Sequence, residues 1–139
     1  MQVFISHVAA DEKLAREIAA ALKSAGFDVW SLDSIFPGDN WAKILGEALE
    51  SSELMVVLCT QNAAGSPYLT REVQFALTSG NYRGRVVAVF VDSPRFQTGA
   101  DVPWVLRDMN PVQYSSSTRD FREIVNRVAA VAREGANAA

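Results

Sequence analysis

The chain has one cysteine, Cys59, and one histidine, His7. A lone cysteine excludes an intrachain disulfide, and one Cys with one His is too small a set for a structural zinc site. Both facts point to a reducing, cytoplasmic setting and to no bound metal. Positive charge is also sparse: 13 Lys and Arg stand against 16 Asp and Glu, a net charge of −3. The arginines are scattered, with no basic run interleaved with aromatics, so neither nucleic acid nor an anionic membrane is an expected partner. No apolar stretch reaches the ~18 residues that span a bilayer. Met1 leads directly into a strand-like run, without the charged start and cleavage site of a signal peptide. Glycine is missing where nucleotide folds use it. The first apolar run is followed by Ser6-His7-Val8-Ala9-Ala10, not by Gly-x-Gly-x-x-Gly, and no P-loop occurs.

What remains is an ordinary globular composition, 49% hydrophobic and 21% charged over 139 residues, enough for one domain with a real core. Apolar runs of strand size alternate with helical periodicity about five times. Val3-Phe4-Ile5 is the first strand. Asp11 is placed to cap a helix carrying Leu14, Ile18, Ala21, Leu22 and Ala25, which Gly26 ends. Phe27 to Trp30 is a second strand. The loop from Ser31 to Asn40 contains a Pro-Gly turn, and Asp39 or Asn40 can cap a helix from Trp41 to about Glu50.

Leu54 to Cys59 and Arg85 to Val91 are strands of the kind covered on both faces, as in the middle of a parallel sheet. A loop from Asp92 to Asp101, a short helical piece from Val102 to Arg107 and a weak strand, Val112 to Tyr114, follow. The last helix starts at Thr118 or Asp120 and carries Phe121, Ile124, Val125, Val128 and Val131. The pattern predicts an α/β fold: a flavodoxin-like, doubly wound sheet of five parallel strands with helices on both faces. Residues 1–134 read as one domain. Residues 135–139 read as a frayed tail and the start of a linker to another domain.

The most informative stretch runs from Ser66 to Leu77. Ser66 suits an N-cap, Pro67 the first helical position, and Gly80 the stop. Leu69, Val73, Ala76 and Leu77 share a core stripe, while Thr70, Arg71, Gln74 and Thr78 face water. Between them lie Tyr68, Glu72, Phe75 and Ser79. Tyr68 and Glu72 are one turn apart on the same side, an acid beside an aromatic at the border of a core face. In doubly wound folds ligands bind beyond the C-terminal strand ends, which here carry Ser6-His7, Trp30-Ser31, Cys59-Thr60 and Asp92. A phosphate-accepting receiver would need an Asp ending the third strand, where Cys59-Thr60 stands. Cys59 itself reads as a buried, inert residue.

Four segments together resemble one family. Val3-Phe4-Ile5-Ser6-His7, Gly26-Phe27-Asp28-Val29-Trp30, Pro37-Gly38-Asp39-Asn40-Trp41 and Ser66-Pro67-Tyr68 to Glu72 match, in order, motifs of the Toll/interleukin-1 receptor (TIR) domain family. The bacterial branch is the most similar. The resemblance implies cleavage of NAD⁺ at the nicotinamide–ribose bond, giving ADP-ribose or cyclic ADP-ribose. NAD⁺ would be a substrate, with no separate cofactor. Glu72 falls at the family's catalytic position, and Tyr68 stands where a Trp is usual. Ser6, His7, Trp30 and Phe96 fall at positions that border the substrate. The loop holding Asp33, Ile35, Phe36 and Gly38 falls where TIR domains contact one another. The implied partners are therefore NAD⁺, other TIR domains in a homo-oligomer or filament, and a fused sensor or oligomerising domain. The implied setting is a defence or signalling system of the innate-immune or antiphage kind.

The chemistry agrees with a single acid. Glycosidases use one carboxyl group to protonate the leaving group. Nicotinamide in NAD⁺ is already cationic and departs neutral, so one carboxylate suffices to stabilise the oxocarbenium charge. Two other classes remain open: a TIR interaction scaffold without turnover, and a nucleoside deoxyribosyltransferase-like enzyme that also uses a Glu.

Overall fold

Leu54–Cys59 and Val86–Val91 are apolar throughout, and every residue of both is buried. In the computed structural model of the chain they are the central strands β3 and β4 of one sheet. The structure describes residues 2–30, 40–60, 82, 85–92 and 110–137. The stretch expected as a helix from Ser66 to Gly80, the expected short helix at 102–107 and the loop at 31–39 lie outside the described residues.

The remaining strands are β1 (Gln2–Ser6), β2 (Asp28–Val29) and β5 (Val112–Tyr114). They assemble in the order β2-β1-β3-β4-β5, and all four pairings are parallel. That is the order of the flavodoxin-like family of doubly wound sheets, as the alternating pattern predicts. Helices α1 (Glu12–Ser24), α2 (Trp41–Ser51) and α3 (Arg122–Asn137) cover it. No helix among the described residues is long and apolar enough to cross a membrane.

The sheet is buried on both faces because its strands have no polar side to show. On one face Phe4, Met55, Val57, Ala88 and Phe90 pack with Leu45 and Ala48 of α2 and with Tyr82. On the other, Ile5, Val56, Leu58 and Val89 pack with Ile18 and Leu22 of α1 and with Ile124, Val128 and Val131 of α3. Ile18, Leu22 and Val128 have no exposed surface. Truncating Ile18 or Leu22 to Ala would cost about 2–5 kcal/mol.

Helix ends follow the sequence signals closely. At the end of α1 the Gly26 amide donates to the Lys23 carbonyl at 3.0 Å and the Phe27 amide to the Leu22 carbonyl at 3.1 Å. This is a Schellman closure, which needs a left-handed residue after the helix. Gly26 supplies it with φ of +99°, although a Cβ there would meet nothing within 4 Å. Backbone conformation, not space, therefore requires the glycine. Because the Phe27 amide is used by the helix, β2 begins one residue later than its apolar pattern predicts. Asn40 caps α2, accepting from the Lys43 amide at 3.2 Å. Asp120 accepts from the Arg122 amide at 3.0 Å at the start of α3. The last helix runs to Asn137, into the stretch 135–139 that the sequence reads as a tail. At the opposite, N-terminal end of the sheet, Arg85 precedes β4 rather than opening it; its Nε donates to the Glu53 carbonyl at 2.8 Å.

Candidate functional site

The chain leaves β1 for β2 on one side, then crosses back past β1 to β3. Strand order reverses between β1 and β3, so a doubly wound sheet of this kind opens its ligand crevice beyond their C-terminal ends. Ser6 of β1 is in register with Val57, leaving Cys59 and Thr60 to extend past it. The residues that gather there are Ser6, His7, Asp11, Trp30, Cys59 and Thr60.

Ser6 is fully buried at the end of β1. His7, the next residue, is half-buried, and its Nδ1 lies 3.1 Å from the Ile5 carbonyl. A carbonyl only accepts, so Nδ1 is the donor of this contact, and in the neutral tautomer that fits it Nε2 is an acceptor. Trp30 follows β2 and donates its amide to the Val3 carbonyl at 3.0 Å, which continues the ladder for one more bond. Its ring stacks on Phe4, centroids 5.6 Å apart. His7 and Trp30 then share a cleft with Ile5, Glu12, Ala15, Arg16 and Ala19. The cleft encloses about 30 Å³, room for about two waters. It is the lip of a crevice and not by itself a nucleotide site. At its rim Arg16 donates to Glu12 at 2.9 Å, an exposed pair one helical turn apart. Such pairs contribute only about 0.3–0.5 kcal/mol.

Asp11 departs from expectation. It stands directly before α1, as a cap should, but its side chain makes no capping hydrogen bond. Its carboxylate instead accepts from the Thr60 hydroxyl at 2.5 Å, across 49 residues of sequence. Asp11 is 7% and Thr60 6% exposed, so the bond is sealed from water. Neither partner stands out as functional from the sequence. The available signal was positional: an acid just past the first strand and a hydroxyl just past the third.

Cys59 is buried, and burial pushes its thiol up to about 12. The thiolate that nucleophilic chemistry requires is therefore essentially absent at neutral pH. Asp92, at the end of β4, takes a left-handed φ of 60°. Its carboxylate accepts from the Ser116 amide at 2.7 Å and from the Ser116 hydroxyl. These donors, the hydroxyl first and then the amide, hold the Asp92 carboxyl below the usual carboxylate pKa range. The contact ties the exit of β4 to the loop after β5.

Of the residues singled out in the sequence, His7 and Trp30 line one cleft, and Ser6 is buried at the end of β1 directly before His7. Glu72, Tyr68 and Phe96 lie outside the described residues, as do Asp33, Ile35, Phe36 and Gly38 of the 31–39 loop.

These features define a doubly wound α/β domain with its crevice at the β1–β3 reversal. Residues 3–128 match the family model described as TIR domain, and the chain belongs to that family. Among the solved structures that share its shape are two from different settings. The Clostridium botulinum CMP N-glycosidase BcmB is 13% identical, with a TM-score of 0.55 over 94% of this chain and 98% of that one. The TIR domains of the activated Roq1 resistosome, which directly recognises the pathogen effector XopQ, are 21% identical. Their TM-score is 0.59 over 99% of this chain and 84% of that one. At these identities the likeness speaks to the fold. No curated protein matches the chain significantly.

Proposed function

We propose that this TIR domain cleaves the nicotinamide–ribose bond of NAD⁺. The observation that carries the reading is the crevice at the β1–β3 reversal, bordered by His7 and Trp30, in a chain of this family. The similarity to an N-glycosidase is consistent with bond cleavage at an anomeric carbon.

Glu72 is the carboxylate assigned to the reaction. The step from β2 to β3 carries α2 over the face that holds Phe4 and Trp30. In the family reading, the crevice at the β1–β3 reversal is where Glu72 acts. There the carboxylate would hold the ribose hydroxyls and stabilise positive charge at the anomeric carbon as nicotinamide departs neutral. Trp30 and Tyr68 would wall the pyridinium ring and keep water out. His7, with Nε2 as acceptor, suits a ribose or amide N–H or O–H donor. No cofactor is needed. Self-association through the 31–39 loop, cytoplasmic location, and attachment to a sensor in a defence or signalling system belong to the same reading.

The test is incubation of concentrated protein with NAD⁺, and in parallel with CMP and with a deoxynucleoside plus free base, followed by chromatography. Nicotinamide release by wild type and its loss in Glu72→Gln, with the fold intact, is the expected result. CMP cleavage or base exchange without nicotinamide release assigns a different glycosyl substrate. Inertness toward all three at high protein concentration leaves the interaction scaffold.

A further inference from the structure

The bond between Asp11 and Thr60 lies at the one place in the sheet where a ligand crevice is expected, yet it faces inward. Thr60 is the first residue past β3, and Asp11 closes the turn after β1. Asp11 holds both ends at once. Its amide donates to the Val8 carbonyl at 2.9 Å, which closes the turn that follows His7. Its carboxylate takes the Thr60 hydroxyl at 2.5 Å. A buried carboxylate is costly unless hydrogen-bonded, and a purely apolar pair would fill this space at lower cost. Stability alone is thus a poor reason for the pair. Geometry offers a better one. A hydroxyl-to-carboxylate bond is short, directional and charge-assisted, so it fixes the separation of the two strand exits more tightly than apolar contact does.

We propose that Asp11 is a positioning residue for the crevice. Acting through Thr60, it sets how the exits of β1 and β3 stand relative to each other, and with them His7. The proposal rests on the N-glycoside cleavage argued above for its kinetic consequence. The bond it invokes can be tested apart from turnover.

Three variants and two measurements decide it. Thr60→Val keeps shape and removes the hydroxyl. Thr60→Ser keeps the hydroxyl, and Asp11→Asn keeps an acceptor while removing the charge. Amide hydrogen exchange is followed at residues 8–11 and 58–60, and NAD⁺ cleavage is measured for kcat and KM. In Thr60→Val, exchange at both stretches should rise together by about tenfold or more. Its kcat should fall about 10–100-fold, because a displaced His7 no longer orients the substrate as the bond breaks. KM should stay within about twofold, because ground-state binding is not the target. Thr60→Ser should restore both readouts, and Asp11→Asn, which keeps an acceptor but loses the charge assistance, should fall between wild type and Thr60→Val in kcat. Unchanged exchange in Thr60→Val overturns the link between the two exits, whether or not any substrate is cleaved. Altered exchange with unchanged kcat overturns the positioning role. A Thr60→Val protein that does not fold also counts against it, since the bond would then be structural. An Asp11→Asn kcat equal to that of wild type would overturn the part given to the charge-assisted bond. If wild type cleaves no N-glycosidic bond, the function proposed above fails and the kinetic consequence with it, while exchange still judges the link.

Discussion

The rings of Trp30 and Phe4 lie nearly parallel, 13° apart in plane with centroids 5.6 Å apart. Phe4 belongs to β1 and is 2% exposed, whereas Trp30 follows the edge strand β2 and is half-buried. The buried ring therefore anchors a residue that also lines the cleft shared with His7. Offset aromatic pairs contribute about 0.5–1.5 kcal/mol beyond their burial. Trp30→Phe should keep the stack and most NAD⁺ turnover. Trp30→Ala should lower stability by about 1–3 kcal/mol, less than for a fully buried ring, and turnover by far more than that loss explains. Equal turnover in wild type and Trp30→Ala, measured under conditions where both are fully folded, would remove Trp30 from the site.

The sheet was legible because its strands are apolar on both faces, which only a covered parallel sheet tolerates. Gly26 and Asn40 were legible because each has one local job, a left-handed turn and an amide to cap. Asp11 misled for the complementary reason. The residue type and position that suit a cap also suit a long-range bond, and nothing local separates the two. Thr60 was invisible as a partner because the two positions lie 49 apart in the sequence. Ala15 is buried while Ala25 is exposed, so the stripe on α1 is rotated from its apolar reading. Alanine carries too little apolar surface to mark a face. His7 and Trp30 were legible as crevice residues through topology: strand ends on one side of a doubly wound sheet converge whatever the side chains are.

Cys59 tests the burial of the central sheet. With its thiol pushed up to about 12, it should resist iodoacetamide at pH 7.5 in the native protein and react readily in denaturant. Cys59→Ala should cost about 1 kcal/mol in stability and leave NAD⁺ cleavage within about twofold of wild type. Rapid labelling of the native protein, or abolished turnover in Cys59→Ala, would contradict the assignment of an inert thiol.

Asp92 and Ser116 give a stability term with a definite pH direction. Donation from Ser116 holds the Asp92 carboxyl below its ordinary value in the folded chain. The folded protein thus favours the ionised form. The contribution is complete above the ordinary carboxylate range, near pH 4, and is lost as pH falls through the lower folded value. The site is exposed, so solvent screening keeps the effect small. Ser116→Ala should lower Tm by about 1–2 °C at pH 7, and the difference should close as pH drops toward about 2. A gap that widens on acidification would show the sign to be wrong.

Tyr68 tests the aromatic beside the assigned carboxylate. As a wall for the pyridinium ring it should tolerate Trp and Phe, because each keeps a flat face of similar size. Tyr68→Ala should lose about tenfold or more in kcat/KM while retaining the fold. Turnover by Tyr68→Ala equal to that of wild type would place Tyr68 outside the site and weaken the assignment of Glu72, four residues on in the sequence.

Assembly is the last consequence. Leu32, Ile35 and Phe36 are apolar residues in a stretch otherwise rich in turn formers, and the same stretch follows directly on Trp30. The cleft bordered by His7 and Trp30 admits about two waters and is open at its rim. A wet crevice is a poor place to stabilise an oxocarbenium ion, since water screens the carboxylate. A neighbouring copy that covers the crevice would remove that water. The domain should therefore have low specific activity when dilute and monomeric, rising with protein concentration, crowding, or fusion to an oligomerising partner. Local concentration in such a fusion reaches the millimolar range, enough to populate a weak contact. Phe36→Asp should suppress the rise by placing a charge where apolar contact is needed, while thermal unfolding stays near that of wild type. NAD⁺ turnover per molecule, measured over a wide range of concentration with mass by light scattering alongside, checks this. Constant specific activity from a species that stays monomeric would show that one domain completes its own site.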